Sequence, residues 1–247
     1  MEKNDAIKYT LRFFLISVLT AAVVLGLGLA FIKAYKYRAT SLPLPASREN
    51  DKITVVIDPG PGGEDAGAVA PDGTFEKDLN LEIASLVRAL CILNGNEVKM
   101  TRDSDTLLYD YYGDLDNYTG QKKVYDLKNR VKIAESEENP IYIGIHMNKF
   151  SSSKYSGTQI YYSKNTKEGE LLASNLAGKI KSLLQPENKR QIKAADSSIY
   201  VLNTINCPAV LVECGFLSNE SELAKLKDAK YQAALALTIF SSICEFS

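Results

Sequence analysis

Hydrophobic and polar positions along this chain fall into blocks whose period switches in a regular order. Ile53–Ile57 is an apolar run, as expected for a strand covered on both faces. Asp78–Leu93 carries Leu79, Ile83, Leu86, Val87 and Leu90 at helical spacing, and Asn94-Gly95 follows as a helix stop. Glu97–Thr101 predicts a second strand. Gln121–Glu138 repeats the helical period through Val124, Leu127, Val131, Ile133 and Ala134. Ile141–His146 predicts another buried strand, and Gly157–Tyr162 a more amphipathic one. Thr166–Leu184 predicts a helix with Leu171, Leu172, Leu176 and Ile180 on one side. Ser198–Leu202 is expected as a short strand, Ala209–Glu213 as a strand and Lys230–Phe246 as the closing helix. This alternation predicts an α/β fold, a single open mixed sheet with helices on both faces.

In open α/β sheets, ligands bind outside the carboxyl ends of the strands. Asp58 and the turn Pro59-Gly-Pro-Gly-Gly63 follow the first strand. His146 ends the strand from Ile141, Glu213 ends the strand from Ala209, and Glu76 stands just before the first helix. Polar residues thus converge on one sheet edge.

The N-terminus departs from this pattern. Residues 13–32, Phe13 to Ile32, form an uncharged, mostly apolar stretch of 20 residues. At 1.5 Å rise per residue, such a helix spans a hydrocarbon core of about 30 Å. A signal-peptide core is shorter, about 7–15 residues. The apolar run also continues through the small-residue site Gly28-Leu-Ala30, so an uncleaved transmembrane anchor is expected. Lys3, Lys8 and Arg12 precede it and Lys33, Lys36 and Arg38 follow it, so the positive-inside rule does not fix its orientation. The expected organisation is a short tail (1–12), the anchor (13–32), a proline-containing linker (33–51) and a folded domain (52–247).

Composition narrows the chemistry. The chain has 247 residues, 45% hydrophobic and 24% charged, which suits one globular domain plus the anchor. A net charge of −1 implies no bulk attraction to nucleic acid. Cys207 and Cys214 bracket an extended segment. Its residues, at about 3.3 Å each, hold the two thiols too far apart for a disulfide. Cys91 and Cys244 sit among apolar residues, and all four cysteines read as small buried hydrophobes. The chain has one histidine, so no second imidazole exists to replace a lost ligand.

A catalytic zinc commonly takes three protein ligands from His, Glu or Asp and keeps a water in its fourth position. The metal acidifies that water, and a separate carboxylate carries its proton to the leaving group. Glu76 and His146 suit two ligand roles. Glu213 follows the apolar run Ala209-Val-Leu-Val212, so burial should raise its pKa, which suits a proton shuttle. Singly, each residue has a plainer reading. His146 suits a hydrogen-bonded core position, Glu76 suits the positive end of a helix dipole, and Glu213 suits a solvent-facing strand end. Their joint placement at one edge favours function.

Five segments in order carry a family resemblance. They are Ile57-Asp-Pro-Gly-Pro-Gly-Gly-Glu-Asp-Ala-Gly-Ala68, Glu76-Lys-Asp-Leu-Asn-Leu81, Thr101-Arg-Asp103, Gly144-Ile-His-Met-Asn148 and Pro208-Ala-Val-Leu-Val-Glu-Cys-Gly-Phe-Leu-Ser-Asn219. Together they resemble the successive motifs of the type 3 N-acetylmuramoyl-L-alanine amidases, over nearly all of Ile53–Ile243. Gln121–Arg130 and Tyr155–Tyr162, with the anchored layout, resemble the sporulation-specific CwlD-like subgroup. The resemblance implies a zinc enzyme that hydrolyses the amide between N-acetylmuramic acid and L-alanine of peptidoglycan, in the cell wall or spore cortex. It implies Glu76 and His146 as zinc ligands, Glu213 as the catalytic glutamate, and substrate contacts from Asn148 and Arg130. The substrate implies a membrane-anchored protein with its catalytic domain outside the cytoplasm.

One position departs from the family pattern. The first zinc ligand of the family is the His of Asp-Pro-Gly-His-Gly-Gly, and here that position is Pro61. Proline offers neither an imidazole nor a backbone N–H. Four-ligand structural zinc sites bind with about 10–16 kcal/mol, so one ligand is worth on the order of 3 kcal/mol. That is roughly a hundredfold in affinity. Glu64 or Asp65, in the same loop, would be the oxygen donors nearest in sequence. Three readings stay open: an amidase active despite Pro61, a peptidoglycan-binding scaffold, or a working enzyme with an isolated lesion. Leu107–Gly120 is tyrosine-rich and predicts a surface loop at the rim of the site.

Overall fold

The computed structural model describes residues 53–112 and 121–246. The expected anchor and linker, and the second half of the tyrosine-rich loop, lie outside the described residues. Among the described residues no helix is long and apolar enough to cross a membrane.

The elements alternate in chain order: β1 (Thr54–Asp58), α1 (Glu76–Leu93), β2 (Glu97–Met100), α2 (Lys122–Glu135), β3 (Pro140–Asn148), β4 (Gln159–Tyr162), α3 (Lys167–Lys179), β5 (Lys193–Ala194), α4 (Tyr200–Thr204), β6 (Ala209–Phe216), α5 (Glu220–Leu226) and α6 (Ala229–Phe246). They build one six-stranded sheet in the order β2-β1-β3-β6-β4-β5. β2, β1, β3 and β6 run parallel, whereas β4 is antiparallel to β6. The sheet is therefore mixed, as the sequence predicts.

Strand alternation sorts the core into two layers. Val55, Ile57, Ile143, Ile145, Val210 and Val212 face one side, where Ile83 and Val87 of α1, Leu176 of α3 and Ile239 of α6 cover them. Val56, Tyr142, Ala209 and Leu211 face the other side, under Val131 of α2 and Val201 and Leu202 of α4. His146 and Glu213 continue the second set by alternation, at the carboxyl edge of the sheet.

Three expectations need correction. Ser198–Leu202 is not a strand. Asp196 accepts hydrogen bonds from the backbone N–H and hydroxyl of Ser198 (2.8 and 2.5 Å), which turns the chain into α4. Val201, Leu202 and Ile205 then bury one helical face, so tertiary packing overrides the β-like composition. The edge strand is β5, from Lys193. Second, β3 and β6 outrun their predicted ends, so His146 and Glu213 sit inside strands rather than at the last residue. Between the pairs His146–Glu213 and Asn148–Phe216 the register shifts, because β6 carries one extra residue. Third, the helix expected over Thr166–Leu184 stays α-helical only to Lys179 and continues as a π-helical turn over Ile180–Leu184. The short helix α5 was not expected; Asn219 caps it by accepting the Glu222 N–H at 3.2 Å. Cys91, Cys207 and Cys214 are free and buried, whereas Cys244 is only partly buried.

Candidate active site

The floor of the candidate site is a buried polar network at the end of β1. Asp58, 1% exposed, accepts hydrogen bonds from the Thr101 hydroxyl (2.5 Å), the Tyr142 hydroxyl and the Arg130 guanidinium. Arg130 also donates from Nε to Asp126 at 2.8 Å, one helical turn away on α2. Burial works against the Arg130 charge, but the carboxylates of Asp58 and Asp126 outweigh it and raise its pKa. Burial, reinforced by Asp58, pushes the Tyr142 phenol well above its usual pKa. Arg102 donates from Nε and Nη2 to the Pro59 carbonyl (3.1 and 2.7 Å) and so holds the turn into Gly60.

That turn passes very close to the site. A Cβ on Gly60 would lie 2.4 Å from Asn80 Nδ2 and 3.0 Å from His146 Cε1. A Cβ on Gly67 would lie 2.5 Å from Glu76 Oε2 and 2.7 Å from Pro61 Cγ. Both residues have positive φ, +44° and +66°, so glycine is required twice over. Pro61 therefore sits beside Glu76, where the family places its first histidine.

Glu76 opens α1, is 6% exposed, and makes four polar contacts. Its Oε2 accepts from the Ala68 N–H (2.7 Å). Its Oε1 accepts from the Met147 N–H (3.2 Å) and Asn80 Nδ2 (3.2 Å) and meets His146 Nδ1 at 3.2 Å. Burial alone would raise the Glu76 pKa, but the hydrogen bond and charge of His146 and the two N–H donors lower it. Burial lowers the His146 pKa, and Glu76 more than compensates, so the net shift is upward. Glu213 stands opposite His146 in the sheet register. Burial raises its pKa to about 7 despite the favourable charge of His146, as its apolar strand predicts. One of its oxygens, Oε2, is buried with no protein partner.

A cavity of about 400 Å³ lies over this edge, bordered by Pro61, Glu76, Lys123, Arg130, His146 and Tyr200 among others. Glu76 and His146 are thus brought together, with Glu213 beside His146 but outside the cavity lining. Asn148 ends β3, partly exposed, and its carbonyl accepts the Leu217 N–H at 2.8 Å; it too lies beyond the lining. Arg130 borders the cavity and is 2% exposed; its Nε and Nη1 pair with carboxylates and brace the floor, while its Nη2 is buried with no protein partner.

The donor set falls short of a three-ligand metal centre. Of the four contacts to Glu76, three fall on Oε1 and one on Oε2, so Oε2 keeps room for a further partner. Pro61 supplies no donor. Glu64 is paired with Lys122 (3.0 Å), and Asp65, which borders the same cavity, with Lys123 (3.0 Å), so both neighbouring acids are engaged by cations. Among the described residues no cluster of three or more His, Cys, Asp or Glu is placed to hold a metal ion. The residues present therefore do not fit the zinc centre that the resemblance implies.

Several site residues escaped the sequence reading. Asn80 lies one turn after Glu76, and Asp126 one turn before Arg130, so helical spacing carried a signal for both. Tyr142, a lone hydroxyl in a buried strand, carried a weaker one.

Comparisons with known proteins agree with this fold. The family model described as N-acetylmuramoyl-L-alanine amidase matches residues 55–245. The germination-specific N-acetylmuramoyl-L-alanine amidase of Bacillus subtilis is 34% identical over 218 residues, covering 88% of this chain and 90% of that protein. The CwlD amidase from Clostridioides difficile, solved in complex with the GerS lipoprotein, aligns with a TM-score of 0.72 at 38% identity, over 78% of this chain and 97% of that one. The catalytic domain of CwlV from Bacillus (Paenibacillus) polymyxa aligns at 31% identity with a TM-score of 0.63, over 79% of this chain and 97% of that one. With its ordered motifs, its mixed sheet and the meeting of Glu76, His146 and Glu213 at one edge, the chain belongs to the N-acetylmuramoyl-L-alanine amidases, a family of hydrolases, and within it to the CwlD-like subgroup.

Proposed function

We propose that this chain acts on the amide between N-acetylmuramic acid and L-alanine in peptidoglycan of the cell wall or spore cortex. The observation that carries the reading is Glu213, a carboxyl held near pKa 7 by burial and placed beside His146. Such a group takes a proton from water as the oxygen adds to the amide carbonyl. It returns that proton to the alanine nitrogen as the C–N bond breaks. The products are the lactyl carboxylic acid of the sugar and the free amino terminus of the peptide. Asn148, at the open end of β3, is the substrate contact in this reading.

Zinc is the cofactor implied by the family, and Pro61 bears directly on it. With two donors in place of three, we infer weak metal binding and slow turnover. The second reading, a peptidoglycan-binding relative that cuts little or nothing, is favoured by the same Pro61. Residues 13–32 would anchor the domain on the outer face of a membrane, where its substrate lies. The Clostridioides difficile relative was solved with a lipoprotein, and a protein partner for this chain belongs to the same proposal.

The test compares the protein with its Pro61→His and Glu213→Gln variants for zinc per chain and for release of peptide from purified peptidoglycan. Release by the unmodified chain that Glu213→Gln abolishes supports the enzyme. Binding without release, in a chain that Pro61→His converts to a hydrolase, supports the scaffold. No release from any variant refutes the amidase reading.

A further inference from the structure

Beyond β3 the chain folds back over the carboxyl ends of β3 and β6. Residues 149–157 are tied down along their length. The Phe150 N–H donates to Ser218 Oγ (3.2 Å), Asn219 Nδ2 donates to the carbonyls of Ser153 and Tyr155 (2.9 and 3.2 Å), and the Gly157 N–H donates to Glu222 (2.8 Å). This segment carries a run of rings. Phe150 meets Tyr155 edge-on, with centroids 4.7 Å apart at 76°. Tyr155 stacks on Phe216 at 6.1 Å and 27°, and the Arg190 guanidinium lies 4.6 Å from the Phe216 centroid.

Exposure divides this stack. Phe216 is 3% exposed and belongs to the core, whereas Phe150 is 52% and Tyr155 45% exposed. A ring serving only to cover Phe216 would need one face against it, and Tyr155 supplies that face. Phe150 adds little cover and leaves half its surface in water. Two adjoining rings are thus held open on a segment whose backbone is fixed, so little conformational freedom remains to be lost on binding. Exposed Lys154 flanks them with N–H donors, and so does Lys149, whose ammonium also donates to the Val69 carbonyl (2.8 Å).

The location suggests the occupant. Phe150 follows His146 by four residues, which is at most about 14 Å of chain. Phe216 follows Glu213 by three residues on the neighbouring strand. His146, at the edge of the cavity, therefore lies within a few sugar widths of these rings, which themselves stand outside the cavity lining. A hexosamine ring presents a C–H face that lies against an aromatic ring, and its hydroxyl and acetamido groups turn outward to donors such as lysines. Binding energy gained on such a remote part of a polymeric substrate holds the scissile amide in place.

We propose that Phe150 and Tyr155 form a saccharide platform that holds an N-acetylhexosamine ring of the glycan strand beyond the cleavage position. The platform rests on the reading of this chain as a protein of peptidoglycan, and it deepens that reading by assigning a glycan subsite. It recognises the sugar backbone rather than the peptide.

The experiment uses the full-length chain in detergent and two probes, insoluble peptidoglycan and the peptide-free hexamer of N-acetylglucosamine. The chain has no tryptophan, so Phe150→Trp creates a single fluorescent reporter at the platform. Its emission is expected to shift on adding the hexamer. Phe150→Ala and Phe150→Leu are expected to weaken hexamer binding by about tenfold, with an unchanged melting temperature, and Tyr155→Phe to retain it. An unchanged emission, or equal binding by Phe150→Leu, overturns the platform. Binding of peptidoglycan but not of the hexamer by the unmodified chain also overturns it and leaves the broader reading standing. Failure to bind either probe overturns both.

Discussion

His146 Nδ1 lies 3.2 Å from Glu76 Oε1, in direct contact and at a spacing that two ligands of one tetrahedral zinc would also show. The pair is stabilised by charge, and each residue shifts the other's pKa toward the ionised form.

Restoring the missing imidazole is expected to complete a three-ligand set. Pro61→His places a ring beside Glu76, since Pro61 Cγ already lies within 2.7 Å of where a Gly67 Cβ would stand. Zinc affinity should rise by roughly a hundredfold, from about 3 kcal/mol for one added ligand. Competition with a calibrated chelator measures it, and equal affinity in the two proteins would refute the assignment of Pro61 to the ligand position.

Glu213 makes stability depend on pH. Its pKa rises from an ordinary 4.5 to about 7 on folding, so between these values the folded chain holds more proton than the unfolded one. Its contribution is therefore most favourable below about pH 4.5, declines as pH rises through 7, and is flat above. The loss is at most about 3 kcal/mol, at 1.36 kcal/mol per unit. Glu213→Gln should remove this decline. Urea unfolding at pH 5 and pH 8, with chelator present, should show the variant gaining relative stability at the higher pH.

Arg130→Ala is expected to cost about 3–5 kcal/mol, because Asp58 and Asp126 then remain buried without their cation. Arg130→Lys should recover only part of this, since a single ammonium cannot reproduce the forked contact with both carboxylates. Denaturant midpoints report both. A variant of normal stability that has lost only substrate affinity would return Arg130 to the substrate-binding role its motif suggests.

Gly67→Ala combines a positive φ with a clash against Glu76 Oε2. The backbone term alone costs about 1 kcal/mol or more. The displaced carboxylate should also weaken zinc binding in the Pro61→His background, whereas Gly73→Ala, with open space around its Cβ, should carry only the backbone term. Thermal melts and metal titration separate the two effects.

Much of this architecture was legible because local period and burial agree. The apolar runs of β1, β3 and β6 and the helical spacing of α1, α2 and α6 each name their element without reference to the rest. The convergence of Glu76, His146 and Glu213 followed from a general rule about strand ends, and Pro61 stood out as a single residue of the wrong chemistry. What the sequence left open depends on contacts between distant segments. Val201 and Leu202 pass for strand residues until α4 is seen packing on the sheet. The β6 bulge exists only relative to β3. Arg130 looks available until Asp58, 72 positions away, is found against it. How Glu76 points is decided by the Ala68 and Met147 N–H groups that hold its oxygens, and only the folded chain brings them there.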